Sequence, residues 1–253
     1  MVLALACLAA AGTARGEGGF RAGYELYLGG FWVGELQSEV SLDGDGYVAR
    51  FALASRGVAA WLADVHSLVE AEGTIEDGRL VPRHYRADTR RNREERSTRL
   101  SFDRDGRVVK LEVRPAPEPV PRELQRAPDP VSALLEIIRT VLAPEGEAAH
   151  TVTSFGGVRA VRLGVTCPRH EPVRLAPGVD LPGQALRCDI EAEQLAGPPP
   201  DYGAGLSIEE LATLWLVPLE QGGVLVRARM RSRLGAVMVR INRFEALPAG
   251  TAR

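Results

Sequence analysis

The feature that most constrains this sequence is a series of short stretches in which apolar and polar residues alternate, each ending at a turn signal. Across residues 20–114 the alternation has a period of two, which is typical of strands that bury one face. Two acidic, glycine-containing segments, Asp43–Gly46 and Asp103–Gly106, separate such stretches. We interpret both as hairpin turns, because neither has the third acidic ligand or the distal Glu of an EF-hand calcium loop. The pattern predicts an antiparallel meander.

Two segments interrupt the strand pattern and predict helices. In residues 57–63 the apolar side chains are spaced by three and four positions, which indicates a short amphipathic helix. A longer helix ends at Leu142, with Asp129 as its N-cap and Pro130 in its first turn. The Pro-rich residues 115–128 lead into this helix, and we interpret them as a crossover within one domain.

The predicted fold is mainly β: a single antiparallel curved sheet, or open half-barrel, of about a dozen strands with one or two capping helices. The 27 Gly and 17 Pro residues favour many short elements over a few long helices. We expect residues 15–253 to form this single domain. No internal apolar run approaches the roughly 20 residues of a membrane-spanning helix, so no transmembrane span is predicted. A formal net charge of −2 argues against a nucleic-acid partner.

The N-terminal segment predicts export. Residues 2–11 are almost wholly small or apolar, and Gly12-Thr13-Ala14 supplies the small residues that precede a signal-peptidase cut. We therefore expect a signal peptide at residues 1–14. No Lys or Arg precedes Arg15, and an apolar N-terminus of a cytosolic protein is the alternative.

The cysteines fit an exported protein. Removal of the signal leaves an even pair, Cys167 and Cys188, which predicts a disulfide. The residues between them are rich in Pro, and we interpret them as an irregular loop that the bond holds closed, a constraint that stabilises by roughly 3 kcal/mol. Two free thiols are one alternative. A zinc site that includes His170 is another, although it has no evident fourth ligand.

Motifs for catalysis or cofactor binding are not found in the sequence. It contains no Gly-x-Ser-x-Gly elbow, no His-Glu-x-x-His, no phosphate loop and no dinucleotide fingerprint. The four histidines are scattered without the spacing of metal ligands. We therefore predict a protein that is not an enzyme and has no cofactor or metal.

Arginine is concentrated in a way that predicts a charged strand face. Lys110 is the only lysine among 31 basic residues, which leaves 30 arginines. Four of them recur at period two and therefore line one face of a strand; they are Arg227, Arg229, Arg231 and Arg233. The simpler interpretation is a solvent face paired with cross-strand acids. The alternative is a surface for an anionic ligand or a lipid headgroup, since guanidinium groups bind phosphate and carboxylate bidentately.

Several short motifs, taken in their order along the chain, point to a known family. They are Tyr24-Glu25-Leu26-Tyr27-Leu28-Gly29, Val33-Gly34, Leu80-Val81-Pro82 with Tyr85, Asp129-Pro130-Val131-Ser132-Ala133-Leu134, Arg187-Cys188, Leu195-Ala196-Gly197, Leu214-Trp215-Leu216 and Leu234-Gly235. Together they resemble domain of unknown function 3108, found in exported proteins of Gram-negative bacteria. One departure is Phe155-Gly156-Gly157, where the family pattern has an Asp-Gly turn.

The resemblance implies a periplasmic protein shaped like the half-barrel of the outer-membrane lipoprotein carriers, with helices over the concave side of the sheet. By analogy of fold, it implies a lipid-like or otherwise amphipathic ligand on an apolar concave face. The candidate cavity or lid residues are Trp61, Leu62, Leu135, Ile138 and Trp215, with the four arginines at the rim for an anionic head. The main alternative is a structural or interaction protein of the cell envelope with a fully packed core. An enzyme is the least favoured class.

Overall fold

The computed structural model describes residues 18–143, 146, 148–198, 212–219, 222–232 and 235–248. Thirteen strands and two α-helices are formed there, and a 3-10 turn at Leu124–Arg126 precedes the second helix. The elements are β1 (Gly18–Leu28), β2 (Phe31–Asp43), β3 (Gly46–Ser55), α1 (Gly57–Leu62), β4 (Val65–Glu76), β5 (Arg79–Arg91), β6 (Glu94–Phe102), β7 (Val108–Arg114), α2 (Pro130–Leu142), β8 (Ala149–Phe155), β9 (Ala160–Pro172), β10 (Gln184–Ala196), β11 (Ala212–Leu219), β12 (Gly222–Ser232) and β13 (Gly235–Leu247).

All of these strands belong to one antiparallel sheet, in the order β7-β6-β5-β4-β3-β2-β1-β13-β12-β11-β10-β9-β8. Each half is a run of hairpins, and β1 pairs with β13 to join the halves. The strands β7 and β8 lie at the two edges, so the sheet is not closed into a barrel within the described residues. The chain passes between these edges through residues 115–129 and α2. The prediction of a single open antiparallel sheet with two helices is confirmed.

The period-two pattern places a continuous apolar layer on one face of the sheet. Ala49 lies opposite Ala71, Ala71 opposite Tyr85, and Tyr85 opposite Leu100 in successive strands. All four side chains are buried, whereas their neighbours along each strand are more exposed. We call the face that carries this layer the inner face, and the opposite one the outer face.

Helix α2 lies on the inner face and packs against both halves of the sheet. It contacts β8 and β12 from one half and β4 and β5 from the other. Ala133 and Ile137 are completely buried. A Cβ atom on Gly223 of β12 would lie 2.1 Å from Cδ1 of Leu142. The helix therefore approaches the sheet closely enough to require glycine at that point.

A buried hydrogen-bond network attaches the start of α2 to the sheet. Asp129 Oδ1 accepts from the backbone N–H groups of Val131 and Ser132 at 3.0 and 2.9 Å, so Asp129 is the predicted N-cap. Ser132 Oγ donates to Asp129 Oδ2. The hydroxyl of Tyr47 on β3 therefore donates to Ser132 Oγ, at 2.6 Å. Asp129 and Ser132 are at most 1% exposed, so these groups depend on one another for hydrogen bonds.

The two edges of the sheet approach each other at the β8–β9 turn. Gly157 in this turn has a φ of +82°, and a Cβ atom there would lie 2.5 Å from Cγ2 of Thr98 and 3.4 Å from Cδ1 of Leu111. Those side chains belong to β6 and β7 at the other edge. The turn thus packs against the opposite edge of the sheet without forming strand hydrogen bonds to it. Gly157 has no side chain, which leaves room for this contact.

Cys167 and Cys188 form a disulfide, as predicted, but its place in the fold differs from the prediction. The bond joins the paired strands β9 and β10, with the two Cα atoms 4.0 Å apart. Regular strand continues beyond Cys167 to Pro172, so the irregular loop covers only residues 173–183. Both cysteines are buried in the cluster that includes Ala133 and Ile137 of α2.

Candidate functional site

The structure does not bring the sequence-predicted ligand residues together. Leu135 and Ile138 lie on α2 and are 8% and 7% exposed. Trp215 is buried on β11, on the face opposite α2. Trp61 on α1 is 88% exposed, so it does not line a cavity. The reason is that α1 has six residues and lies beyond the ends of the strands.

Some predicted residues cannot be placed in detail. The side chain of Leu62, Arg233 and the expected signal peptide at residues 1–14 lie outside the described part of the structure. The remaining three arginines of the predicted row are described, and they line the outer face of β12. Val226 and Ala228, which alternate with them, are buried on the inner face.

These arginines do not face cross-strand acids, which corrects the simpler interpretation of the row. Arg227 lies directly opposite Arg240 of β13. Arg229 lies between Met238 and Thr213, and Arg231 lies opposite Ala236. We call the outer-face group Arg227, Arg229, Arg231 and Arg240 the arginine face.

Aromatic rings support two members of the arginine face. The guanidinium carbon of Arg227 lies 4.6 Å from the ring centroid of Trp215, and that of Arg240 lies 5.6 Å from the ring centroid of Tyr27. Trp215 Nε1 donates to Glu171 Oε2 at 2.9 Å, and this hydrogen bond fixes the orientation of the indole ring beside Arg227. Cation–π contacts of this kind orient the guanidinium groups without neutralising them.

The acids near the arginine face are bonded to other groups. Glu171 accepts from Arg169 at 2.9 Å, and Asp189 accepts from Arg187 at 2.9 Å. Glu25 accepts from the Tyr27 hydroxyl at 2.7 Å. Among the described residues, no carboxylate oxygen lies within 4.0 Å of a side-chain nitrogen of the arginine face. Glu25 lies directly opposite Arg240 in the β1–β13 register but is bonded to Tyr27. The four arginines therefore form no ion pair within the described residues and carry an excess of positive charge.

Burial and neighbouring charges change the pKa of Arg227. Burial lowers the pKa of its guanidinium below the usual value, and the charges of Arg240 and Arg229 lower the pKa further, whereas Glu171 acts in the opposite sense. Its Nε atom is buried and has no hydrogen-bond partner. An anionic group placed beside the half-buried guanidinium group of Arg227 would offset the repulsion between the arginines.

The arginines at the other end of the outer face have a different arrangement. They line a concavity of about 800 Å³ over β2–β7, together with several acids. Arg90 Nη1 lies 2.8 Å from Asp64 Oδ2, and Arg86 Nε bonds to Asp88 Oδ2. The interpretation of a solvent face with paired charges applies to this group.

Two further observations concern the rest of the described chain. Its helices are all too short to cross a membrane. No three His, Cys, Asp or Glu side chains within the described ranges converge where they could hold a metal ion.

Tyr27, Arg240 and Glu171 were missed by the reasoning from sequence. Each is a single polar residue in an alternating strand, and that pattern indicates only that it faces solvent. Arg240 reaches the row on β12 through the pairing of β12 with β13. The proximity of Tyr27 and Glu171 depends on the pairing of β13 with β1 and of β9 with β10. The sequence contains no local signal for those pairings.

The fold and its outer face define a class: an open, β-barrel-like sheet that packs around a central helix and displays basic residues outside. Within this class, the chain belongs to the DUF3108 family of proteins of unknown function, whose model matches residues 23–242. The family resemblance seen in the sequence motifs is thereby confirmed.

Comparison with solved structures supports the fold. A β-barrel-like protein of the DUF1849 family from Brucella abortus superposes with a TM-score of 0.61 at 15% identity, covering 93% of this chain and 100% of that chain. A hypothetical protein from Chlamydia trachomatis is 7% identical, with a TM-score of 0.37 over 95% of this chain and 91% of that chain, a similarity too low to support an argument. No curated protein matches the sequence.

Proposed function

We propose that this protein is a non-enzymatic, periplasmic binding protein of the cell envelope, and that it binds the anionic group of its partner on the arginine face. The observation that carries the proposal is the set of four outer-face arginines that form no ion pair with any carboxylate in the described ranges. Phosphate and carboxylate groups present two oxygens that a guanidinium group binds side by side. The anionic head of an amphipathic molecule and an anionic envelope component share this chemistry.

A lipid-like ligand on the inner face is the second candidate, since the half-barrel shape favours it by analogy. Such a ligand would have to displace α2, because Leu135 and Ile138 are almost fully buried and Ser132 is bonded to Tyr47. An interaction protein with a packed interior needs no such movement. The geometry therefore favours binding on the outer face.

The disulfide supports the proposed location. A bond between Cys167 and Cys188 forms and persists in oxidising compartments, which include the bacterial periplasm. Export itself can be tested by fractionating cells that express the full chain and measuring the mass of the protein in the periplasmic fraction. Recovery of the uncleaved chain in the cytosol would contradict the proposed location.

Titration with inorganic pyrophosphate, followed by calorimetry, tests the arginine face. We expect the double variant Arg229→Gln, Arg231→Gln to bind about tenfold more weakly than the wild type, since it loses two charged hydrogen-bond donors. The matched control is Arg50→Gln, Arg162→Gln, which changes the net charge equally. Both control arginines are ion-paired on the outer face, with Glu70 and Glu193. Equal weakening in both double variants, or no binding by the wild type, would contradict the proposal.

Organic extraction of the purified protein tests the second candidate. Outer-face binding predicts that any phosphatidylglycerol retained by the wild type in native mass spectrometry, after incubation in detergent, is lost in the Arg229→Gln, Arg231→Gln variant. A stoichiometric lipid that survives the Arg229→Gln, Arg231→Gln change would favour an inner-face ligand instead.

A further inference from the structure

Three large aromatic side chains are exposed at one end of the sheet. Phe31, Trp32 and Trp61 are 72%, 40% and 88% exposed. Phe31 and Trp32 begin β2, and Trp61 lies in α1 between β3 and β4, so all three are at the end where β1 turns into β2. We call these three residues the aromatic rim. Exposed aromatic residues grouped in this way mark an interaction surface more often than isolated exposed apolar residues do.

Contacts at the start of α1 attach this helix to β2 beside Trp32. A Cβ atom on Gly57 would lie 3.5 Å from the carbonyl oxygen of Trp32 and 3.8 Å from Cε3 of its ring. The backbone N–H of Arg56 donates to the carbonyl of Val33 at 2.9 Å. Trp61 follows Gly57 by four positions, which places it about 6 Å further along the helix. The start of α1 therefore lies against Trp32, and the three exposed aromatic residues share one end of the sheet, with Phe31 and Trp32 on opposite faces of β2.

Unpaired arginines flank the aromatic rim on both sides. Arg231 lies near the end of β12, beside the β12–β13 turn, and Arg93 lies in the β5–β6 turn. The strands β12 and β5 are each three strands away from β2, or about 14 Å. Neither arginine has a carboxylate oxygen within 4.0 Å among the described residues.

The acids at this end lie beside basic residues. Glu94 lies 3.8 Å from Arg96, and Glu95 lies opposite Arg90 in the β5–β6 ladder. Asp64 is bonded to Arg90 at 2.8 Å and lies 3.0 Å from His66, and the hydrogen bond from Arg90 is the main cause that lowers the pKa of Asp64. Glu35 is ion-paired with Arg56 at 3.2 Å. The described arginines at this end outnumber the described acids; they are Arg56, Arg90, Arg91, Arg93, Arg96 and Arg231, against Glu35, Asp64, Glu94 and Glu95. The end of the sheet thus combines exposed aromatic rings with a net positive charge.

We propose that the aromatic rim docks on the surface of an anionic lipid bilayer, with its rings at the headgroup level and Arg93 and Arg231 near the lipid phosphates. Trp and Phe side chains partition into this interfacial region, and nearby Lys or Arg side chains bind anionic headgroups. The positive charge beside the rings favours such a surface over a neutral apolar partner. The inference rests on the proposed function, because Arg231 belongs to the arginine face as well.

Sedimentation with vesicles of equal parts phosphatidylcholine and phosphatidylglycerol tests the docking. We expect Trp61→Ala to weaken binding about tenfold, from the apolar area lost, and Arg93→Gln to weaken it about fivefold. The matched control is Val109→Ala on the edge strand β7, because Val109 is 65% exposed but far from the aromatic rim. We expect this variant to bind as the wild type does. Circular dichroism verifies that each variant is folded.

Tryptophan fluorescence provides a second measurement on the same samples. Trp32 and Trp61 should shift to shorter wavelength when vesicles are added, whereas Trp215 is 8% exposed and should not respond. A wild-type spectrum that does not change, or equal binding by Trp61→Ala and Val109→Ala, would overturn the docking. A concentration-dependent dimer that Trp61→Ala abolishes would also overturn it, in favour of contact with a second copy.

The outcomes separate this inference from the proposed function. Pyrophosphate binding that depends on Arg229 and Arg231, without any binding to vesicles, would overturn only the docking. Vesicle binding that requires Trp61 but is equally strong on vesicles of pure phosphatidylcholine and on the mixed vesicles would overturn the role of the arginines in docking. If pyrophosphate binding also fails in that case, the proposed function is wrong as well.

Discussion

The buried network at the start of α2 allows a sharp test of how the helix is held on the sheet. Replacement of Asp129 by Ala removes the acceptor for two backbone N–H groups and for the Ser132 hydroxyl. Loss of an N-cap costs about 1 kcal/mol, and a buried polar group left without a partner costs about 1–3 kcal/mol. We therefore expect Asp129→Ala to lower the free energy of unfolding by about 2–4 kcal/mol.

Asp129→Asn is the matched variant, because it has nearly the same shape. Both backbone bonds are accepted by Oδ1, which an amide retains. The amide nitrogen can donate to Ser132 Oγ, and Ser132 can then donate to the Tyr47 hydroxyl instead of accepting from it. We expect this variant to lose about 1 kcal/mol or less. Urea unfolding followed by circular dichroism measures both changes.

The pH dependence follows from the burial of Asp129. Burial is the main cause that raises the pKa of this carboxyl above its usual value of 3.8, against the opposing hydrogen bonds. A pKa that is raised in the folded state stabilises the protein when the pH is below the pKa of the unfolded chain. That stabilisation is lost as the pH rises through the pKa of the folded protein. The wild type should therefore be most stable relative to Asp129→Asn at acidic pH, and this advantage should decline towards neutral pH. Equal losses in the Ala and Asn variants, or a difference that does not change with pH, would refute the reasoning.

Two further predictions concern other parts of the fold. Replacement of Cys167 and Cys188 by Ala should lower the free energy of unfolding by about 3 kcal/mol in urea titrations, because the bond constrains the unfolded chain; an unchanged unfolding midpoint would contradict this. Gly157→Ala should lower Tm more than Gly178→Ala, because both glycines have a φ close to +80° but only Gly157 has Thr98 within contact distance of the new Cβ. Equal losses of Tm would indicate that the β8–β9 turn does not pack against the opposite edge.

Local signals explain which elements were predictable from the sequence. Asp129 and Pro130 mark the start of α2, and the apolar face that follows gives its length, so the predicted helix matches the structure. The Gly29-Gly30 turn and the two acidic turns likewise define hairpins by their own chemistry. Interactions between residues close in sequence were sufficient for these elements.

Local signals gave a wrong prediction for the residues that follow Cys167. The prolines near Cys167 indicated an irregular loop, yet Pro168 lies within β9. The β9–β10 register shifts between Arg187 and Asp189, and Pro168 occupies this irregularity, where a ladder bond from its nitrogen is not needed. A bulge of this kind depends on the partner strand, so the residues of β9 alone do not predict it.

The candidate site was the least predictable part. Alternation places Arg227 and Arg229 on one face of a strand, but it does not determine whether that face is inner or outer. The answer depends on which side of the sheet α2 occupies. Arg240 becomes a neighbour of Arg227 only because β12 pairs with β13. Trp61 was a candidate cavity or lid residue, but a helix of six residues beyond the strands has little surface to pack against.

The pairing of β1 with β13 has a consequence for how the chain must be assembled. Gly19 lies opposite Leu247, so one neighbour of β1 is the last strand of the sheet in chain order and becomes available only after the strands between them. Until then one side of β1 displays unpaired N–H and C=O groups, which are prone to join strands of other molecules. Long-range pairings of this kind also form slowly. Before β13 pairs with β1, the half-built sheet is therefore exposed to aggregation, which a chaperone or rapid completion of the sheet would prevent.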